Sequence, residues 1–429
     1  MTNKYHFLTY ASSLKAKQRL KNRHSIFIRR RDNIKMSDSA LDNKLIKKHY
    51  PTTNNEQELS FVFEADPNLC MLKNRIAIHF MIELDGAYLP DNGFAAKQFS
   101  NLYVERNSQK ISNNKSMGEY WLNDWMLKYG NLNPDYINSV YEIEGYYDKY
   151  VYDELAEDQK AQVVAHRRAG IPSKGGKFLY EFIMTPNESF LNENHPLPSG
   201  IELKLTFDRL PAQFSCLSDD DSLKGKSLEL KDVYAQVEYI SSPILRSYFE
   251  QREYQPIVYS YDETSVICRN VPMNEQYIRL ENIRGGNTPD FVFLGLVKSK
   301  CLNGSLECSS TNFKNNHIKE INLTLNGNSC LGYPMRIQNN NPVWAYHKFY
   351  STLGKLMDQS AAAQTRLDTF KNSVIFSHKF EGEDASQGWL GVTLSLSTPL
   401  TEQYTLVMWT VQNVKASIDK YNQIDKFNC

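Results

Sequence analysis

The chain carries a strand pattern that runs through it twice. Apolar and polar residues alternate along short segments from about Ser60 to Cys216, and the same rhythm returns from about Asp232 to Tyr421. Successive side chains of a β-strand point to opposite faces, so this alternation predicts sheets with one buried face. Longer, partly helical insertions interrupt both passes. The clearest runs place apolar residues at Ile76, Ile78, Phe80, Ile82 and Leu84, at Ile201, Leu203, Leu205 and Phe207, at Val233, Ala235, Val237 and Tyr239, and at Val392, Leu394 and Leu396.

The length agrees with two such units. A chain of 429 residues exceeds what one hydrophobic core ordinarily organises and fits two domains of about 200 residues each. We predict a basic, mobile N-terminal arm over residues 1–50, a first β-sandwich over residues 51–222 and a second over residues 223–429. The acidic stretch Ser218–Lys226 reads as the linker between them.

The insertions have helical character. Residues Met117–Tyr129 and Asp153–Arg168 predict helices in the first unit, and Pro243–Tyr254 and Trp344–Leu356 predict helices in the second. Aromatic side chains such as Tyr120 in the first insertion could form a stacking platform for sugars or bases. Packing in a core or a subunit interface is favoured, because Trp buries a large area. We select three tryptophans as possible subunit contacts, namely Trp121, Trp125 and Trp344.

Positive charge is concentrated at the N-terminus. Residues 1–48 hold thirteen Lys and Arg against three Asp, a net charge of +10, although the whole chain is neutral. Little apolar periodicity accompanies this charge, which is typical of a mobile arm. The arm could contact nucleic acid or an anionic membrane face, or it could be a solvated tail or a localisation signal. The candidate polyanion-contacting residues are Lys15, Lys17, Arg19, Lys21, Arg23, Arg29, Arg30 and Arg31.

The cysteines predict reduced thiols. They are odd in number, scattered and unmatched to any disulfide framework. The N-terminus lacks the apolar segment of a secretory signal, and no apolar run approaches the roughly 20 residues of a membrane helix. We therefore expect a protein made in the cytosol or nucleus and not secreted. The seven cysteines are Cys70, Cys216, Cys268, Cys301, Cys308, Cys330 and Cys429.

Four candidate sites suggest a catalytic or metal-binding interpretation, and none has the residue pattern that such a site requires. A phosphate-binding loop needs a longer glycine-rich turn that opens a helix. A structural zinc site needs four ligands, and an acidic run is more often a solvated linker than a cation site. We therefore predict that the chain is not an enzyme and that it holds no cofactor and no metal. The clusters are Lys174-Gly175-Gly176-Lys177, the trio Cys301, Cys308 and His317, the run Asp219–Asp221, and the single His79.

A series of strings in fixed order carries a family resemblance. The first half contains KNRIAIHFMIELDGAYLP, FSNLYVERNSQKIS and LPSGIELKLTFDRLPAQFSCL. The second contains LELKDVYAQVEYISSPILRSYFE, PIVYSYDETSVICRNVP, FVFLGLVKSKCLNGS, TNFKNNHIKEINLTLNGNSCLGYPMRI, YHKFYSTLGKL and GWLGVTLSLSTPLTEQYTLVMWTVQNVKASIDK. Over most of residues 58–422, the chain resembles the double-jelly-roll major capsid proteins of Polinton (Maverick) elements, adintoviruses and related virophage-like agents. The basic arm has no counterpart in the family pattern.

The resemblance implies an all-β fold of two tandem eight-stranded jelly rolls with short helical insertions. It also implies a structural major capsid protein, located in the virion. Its homotrimers would form pseudo-hexameric capsomers of an icosahedral double-stranded DNA virus or Polinton-like element. The implied partners are neighbouring capsomers and a single-jelly-roll penton protein, and the arm could add packaged DNA or an inner membrane.

Three other interpretations remain to be compared. A carbohydrate- or ligand-binding β-sandwich protein would expose aromatic residues and function as a monomer. A cupin-like enzyme shares the jelly-roll architecture, but its clustered His and carboxylate ligands are missing, since the nine His residues are scattered singly. A single-jelly-roll vertex protein would be too short for two tandem strand sets.

Overall fold

The strands of the computed structural model form two antiparallel β-sandwiches in one chain. Short alternating segments of the sequence become strands whose apolar side faces the interior. The structure describes residues 44–111, 118–129, 142–147, 152, 155–243, 245, 249, 257–313, 318–331, 334–337, 341–356, 367–371, 373–380, 387–418 and 424–428.

The first sandwich contains eight principal strands. One sheet has the order β1-β8-β3-β6 and the other the order β2-β7-β4-β5. The strands are β1 (Lys44–His49), β2 (Glu58–Phe63), β3 (Cys70–Asp85), β4 (Phe99–Arg106), β5 (Gln109–Lys110), β6 (Lys177–Met184), β7 (Leu203–Arg209) and β8 (Lys231–Ile240).

The second sandwich repeats this order. One sheet runs β9-β16-β11-β14 and the other β10-β15-β12-β13, so each strand occupies the place of the one eight numbers before it. Both sandwiches therefore have jelly-roll topology, in which the first strand pairs with the last. The strands are β9 (Ile257–Val271), β10 (Tyr277–Asn287), β11 (Phe291–Lys298), β12 (Ile318–Leu325), β13 (Asn328–Ser329), β14 (Phe376–Lys379), β15 (Gln387–Leu396) and β16 (Tyr404–Ile418).

Helices lie mainly in the insertion between the fifth and sixth strands of each sandwich. The helices are α1 (Glu119–Tyr129), α2 (Glu157–Arg168), α3 (Ser299–Leu302), α4 (Val343–Thr352) and α5 (Leu367–Phe370). Shorter elements complete the described chain: strands Thr53–Asn54, Leu89–Pro90, Ser173–Lys174, Cys216–Leu217, Met335–Arg336 and Ile424–Asn428, and 3-10 turns Ala96–Gln98, Glu142–Glu144, Ala212–Phe214 and Asp221–Leu223.

Three of the predicted helices are confirmed within a few residues by α1, α2 and α4. The predicted helix Pro243–Tyr254 falls largely outside the described residues. Most of the buried apolar side chains of both sandwiches belong to one continuous cluster, and Leu89, Val163 and Leu217 form a small separate one. The two units therefore share an interior and are not joined only by a linker.

The predicted boundary between the units is wrong. Strand β8, assigned to the second unit, lies in the first sandwich between β1 and β3, where Ala235 pairs with both His49 and Ile78. The stretch Ser218–Lys226 folds back on the first sandwich, and the Ser222 hydroxyl lies 2.7 Å from that of Tyr88. Chain-order reasoning failed because the last strand of a jelly roll returns to pair with the first.

The predicted arm also ends earlier than expected. Its last residues form β1, which pairs with β8 from Lys44 opposite Ile240 to His49 opposite Ala235. The pattern KLIKKH was not recognised because an edge strand of this kind keeps most of its side chains exposed. Residues 1–43, with all eight candidate polyanion-contacting residues, lie outside the described residues.

Candidate functional site

The surface between the two sandwiches, called the junction below, is centred on helix α1. Trp125 lies 4.7 Å from Phe313 and 6.0 Å from Trp409, measured between ring centroids, and both partners belong to the second sandwich. One turn later, the hydroxyl of Tyr129 donates a 2.5 Å hydrogen bond to the carbonyl oxygen of Ser373. Aromatic pairs of this kind add about 0.5–1.5 kcal/mol each beyond the area that they bury. Helix α1 therefore fastens the first sandwich to the second.

The prediction that Trp121 and Trp125 contact other subunits is corrected by this geometry. Their side chains are 2% and 5% exposed, so they lie in the interior of a single chain. Tyr120 is also buried, which removes the stacking platform. Only Trp344, on α4, remains available to a partner, since 63% of it is exposed.

The first strand of the second sandwich, β9, is an edge strand that the first sandwich covers. Its Thr264 amide donates to the Ser189 hydroxyl at 3.3 Å, and its Val266 amide donates to the Glu119 carboxylate at 3.2 Å. An uncovered edge strand offers unpaired amides and carbonyls to other chains. These two side chains occupy that edge and fix the position of β9 against the junction.

A buried ion pair also lies at the junction. The Lys73 ammonium on β3 is 2.5 Å from the Glu193 carboxylate, and the two side chains are 0% and 4% exposed. The ammonium also lies 5.2 Å from the ring centroid of Phe190 and 5.1 Å from that of Tyr259, which belongs to β9. The cation therefore sits between rings from the two sandwiches, an arrangement that favours a desolvated charge.

A second set of polar contacts crosses the junction. The Lys97 ammonium pairs with the Asp91 carboxylate at 2.6 Å, and both side chains are buried. The same carboxylate accepts a 2.7 Å hydrogen bond from the Ser309 hydroxyl of the second sandwich, and the Ser218 amide donates to the Leu306 carbonyl at 2.8 Å. The buried Asp91 carboxylate thus has partners in both sandwiches.

Three charged groups are buried behind α1. The Lys128 ammonium contacts the carboxylates of Asp124, at 2.7 Å, and of Glu144. Tyr146 donates to Asp124 at 2.9 Å. Burial raises the pKa of Glu144, although Lys128 acts in the opposite direction. The cluster anchors the turn Glu142–Glu144 to the helix, and it explains why charged residues occupy buried positions.

The rejected catalytic clusters have structural explanations. Lys174 and Lys177 pair across a two-residue hairpin turn whose glycines adopt positive φ. Asp220 caps the turn Asp221–Leu223 through the Ser222 amide. His79 is enclosed by Glu181 at 2.8 Å and by the ring of Tyr234. Among the described residues, no group of three or more His, Cys, Asp or Glu side chains is arranged to hold a metal ion.

The prediction of reduced cysteines is wrong at one pair. Cys301 and Cys308 form a disulfide, with their Cα atoms 5.5 Å apart. Helix α3 and the turn at Asn303 and Gly304 reverse the chain and bring the two residues within disulfide range. The four other cysteines that the structure describes form no disulfide, and His317 lies outside the described residues.

An open cleft of about 870 Å³ lies beside α4 on the second sandwich. The exposed indole of Trp344 forms part of its wall, next to His347 at a ring distance of 5.9 Å. No helix within the described ranges has the length and apolar character to span a membrane. Val343 and Trp344 of α4 thus present exposed apolar side chains to solvent beside the cleft.

The junction residues Lys73, Glu193 and Glu119 were missed by sequence reasoning. One signal was present: Lys73 directly follows the apolar residues Cys70, Met71 and Leu72 at the start of β3, at a position that proves to be buried. A lysine inside a buried strand needs a carboxylate partner. The partner itself lies 120 residues further along the chain, and local pattern cannot identify it.

The comparisons with known proteins agree with this architecture. No family model and no curated protein matches the sequence. A 3.5 Å cryo-EM structure of the Sputnik virophage is similar with a TM-score of 0.62 and 9% identity, over 91% of this chain and 89% of that chain. The PBCV-1 virus capsid gives a TM-score of 0.54 at 12% identity, over 90% and 97%. The mavirus major capsid protein gives 0.53 at 10%, over 89% and 90%.

These similarities concern the fold. They span nearly the whole of this chain and of each relative, and therefore include both sandwiches and their connection. With the strand orders above, they confirm the predicted all-β double jelly roll. At such low identity they show the fold and assign no function.

Proposed function

We propose that this chain is a structural major capsid protein, three copies of which form one pseudo-hexagonal capsomer. The observation that carries the proposal is the identical strand order of two sandwiches held together in one chain. Three such chains around an axis present six similar units. A capsomer of that shape fits a position with six neighbours, and rotational symmetry closes it without further components.

Two further observations support the proposal. The solved structures that share the fold are those of a virophage, a virus capsid and a major capsid protein. The buried polar and aromatic contacts of the junction also hold the sandwiches as one body. A rigid two-unit block is what a repeating shell requires, because small changes in angle would accumulate across many subunits.

The finer parts of the proposal follow from the sequence resemblance. The capsomers would tile an icosahedral shell around double-stranded DNA of a virus or a Polinton-like element, in the manner of adintoviruses. A separate single-jelly-roll penton protein would occupy the vertices. Residues 1–43 would contact packaged DNA or an inner membrane through charge. The protein would be made in the host cytosol or nucleus and reside in the virion.

Size-exclusion chromatography with multi-angle light scattering tests the proposal. The expected result is a particle of about three times the 49.6 kDa chain mass, with a hexagonal outline in negative-stain images. A stable monomer across the accessible concentration range would contradict it.

Carbohydrate binding is the second candidate. Tyr277 and Trp389 are 65% and 50% exposed and point outward from the same sheet of the second sandwich. Exposed aromatic rings on the surface of a sheet suit sugar stacking. This function predicts a monomer whose thermal unfolding shifts upward with added glycans, and a W389A variant that loses the shift.

A further inference from the structure

The two sandwiches meet through unlike sides. In each sandwich, one sheet has the first strand at one edge and the sixth strand toward the other. Within the chain, the side of the first sandwich that carries β6 and the insertion meets β9, the first strand of the second sandwich. This contact uses the insertion side of the first sandwich and the first-strand side of the second. The first-strand side of the first sandwich and the insertion side of the second have no corresponding contact among the described residues.

The insertion of the first sandwich is attached to β6. The hydroxyl of Tyr120, on α1, donates to the sulfur of Met184 at 3.4 Å. Glu144 accepts from the amide of Thr185, directly after β6, at 3.2 Å. Ser189 and Phe190 follow in the same loop and contact β9. The insertion and the end of the sixth strand thus form one receiving surface for a first strand.

The second sandwich carries the same combination without a described partner. Helix α4 packs on β14, its sixth strand, and the Ser377 hydroxyl donates to that of Thr352 at 3.0 Å. On the opposite side of α4, Val343 and Trp344 are 45% and 63% exposed beside the cleft. This surface, the α4 patch, corresponds in chain order and sheet position to the surface that receives β9.

The first sandwich carries the matching first strand. Among the strands that the structure describes, β1 pairs with β8 alone. Its Leu45 and Ile46 are 44% and 54% exposed. Two of its three cations are held by the first sandwich itself, because Lys47 pairs with Asp66 at 3.0 Å and Lys48 lies 4.0 Å from the ring centroid of Tyr234. Successive strand side chains point to opposite faces, so Leu45 and Ile46 lie on the two sides of the open edge of β1 and make both sides of it apolar.

We infer that the α4 patch of one copy receives strand β1 of a second copy, so that the contact between chains repeats the junction within the chain. This inference rests on the proposed trimer and names its contact surfaces. A contact between unlike surfaces closes into a ring when the rotation between copies is suitable. Three copies would then alternate first and second sandwiches around the axis. Trp344 would be the buried anchor, the role in which Trp is enriched at interfaces.

Charge substitutions separate this inference from the proposed function. The variants W344E and I46E place a carboxylate on either side of the inferred contact, and W389E is the matched control on an exposed Trp elsewhere. We expect W344E and I46E to raise the concentration of half-dissociation at least about 100-fold, as is typical for loss of a central interface residue, and W389E to remain trimeric. Circular dichroism establishes that each variant is folded.

The outcomes are distinct. A monomeric wild-type protein overturns both the inference and the proposed trimer. A trimeric wild type with W344E and I46E as trimeric as W389E overturns the inference and leaves the proposed function intact. Should a variant fail to fold, cross-linking decides: the double variant I46C/W344C with a bismaleimide reagent should give chain-to-chain products that I46C and W344C alone do not. Absence of these products overturns the inference.

Discussion

The indole N–H of Trp409, in the last strand of the second sandwich, donates a 3.2 Å hydrogen bond to the carbonyl oxygen of Leu122, in the first sandwich's helix α1. The two residues are 287 positions apart. Trp409 is fully buried, and its ring also contacts Phe313 and Trp125. A single side chain thus satisfies its polar group in one sandwich while it packs in the other, and the stability of the two units is coupled.

Replacement of Trp125 by alanine should weaken both sandwiches at once. The substitution removes a buried ring between α1 and the second sandwich, and we expect a loss of about 3–5 kcal/mol in the free energy of unfolding. Chemical denaturation measures it. The matched control W389A removes a half-exposed Trp and should change this free energy by less than about 0.5 kcal/mol. Equal effects of the two substitutions would show that the junction contributes no special stability.

The Lys73–Glu193 pair should be more costly to break than to replace. The variant K73M leaves the buried Glu193 carboxylate without its cation, and we expect a loss of about 3–5 kcal/mol. The double variant K73M/E193Q removes both charges and should recover part of that loss. Denaturation of the two single variants and the double variant gives the coupling energy. Additive effects would mean that the two charges do not interact.

Acid should weaken the same pair. Burial alone would raise the pKa of Glu193, but the hydrogen bond to His195 and the charge of Lys73 outweigh it and hold this pKa below its ordinary 4.5. The folded carboxyl therefore binds a proton less readily than the unfolded one. Its contribution to stability is full above pH 4.5 and is lost as the pH falls through the folded pKa. Unfolding free energies measured across this window should fall more steeply for the wild type than for E193Q. Parallel curves would contradict the assignment.

Reduction of the Cys301–Cys308 disulfide should lower stability modestly. The bond closes a short loop, and loops of this size contribute about 2–3 kcal/mol when closed. A reductant should lower the thermal midpoint of the wild type and leave the double variant C301S/C308S unchanged. Mass spectrometry under non-reducing conditions gives the thiol count directly. A fully reduced protein after purification in air would contradict the bond.

Gly295, in β11, should resist enlargement. A Cβ atom added there would lie 2.7 Å from Cδ1 of Phe313, the ring that contacts Trp125. We expect G295A to cost about 1–3 kcal/mol through forced movement of Phe313. The control G285A, in β10, meets no atom closer than 3.7 Å and should be nearly neutral. A similar cost for both would point to a backbone effect.

The secondary-structure elements were predicted from the sequence more accurately than the pairing of the strands. The alternation from Ile76 to Leu84 became a strand because period-2 patterning is local, and α1 was visible from its own composition. The sheet that β8 joins was not visible, since pairing of Ala235 with Ile78 joins residues 157 positions apart through a register that neither segment encodes alone. Local pattern also cannot say whether an aromatic helix faces its own chain or another.

The site shows the same limit. Trp121, Trp125 and Trp344 have similar local settings, in aromatic helical segments of the two insertions. The structure buries the first two and exposes the third, because β9 covers α1 whereas no described strand covers the outer side of α4. Whether α1 or α4 is covered within the chain depends on which sandwich packs against its insertion. That packing is a tertiary property, which local sequence does not specify.

The return of β8 to the first sandwich has a consequence for synthesis. This strand lies between β1 and β3. Strand β1 therefore cannot join the sheet until residues 231–240 have left the ribosome. Until then, the apolar face of this incomplete sheet stays partly exposed to solvent, while the insertion helices and the strands of the second sheet are synthesised. Such long-range closure is slow and exposes the intermediate to aggregation. A pause in translation shortly after residue 222 would therefore prolong the stage at which the nascent chain is most prone to aggregation.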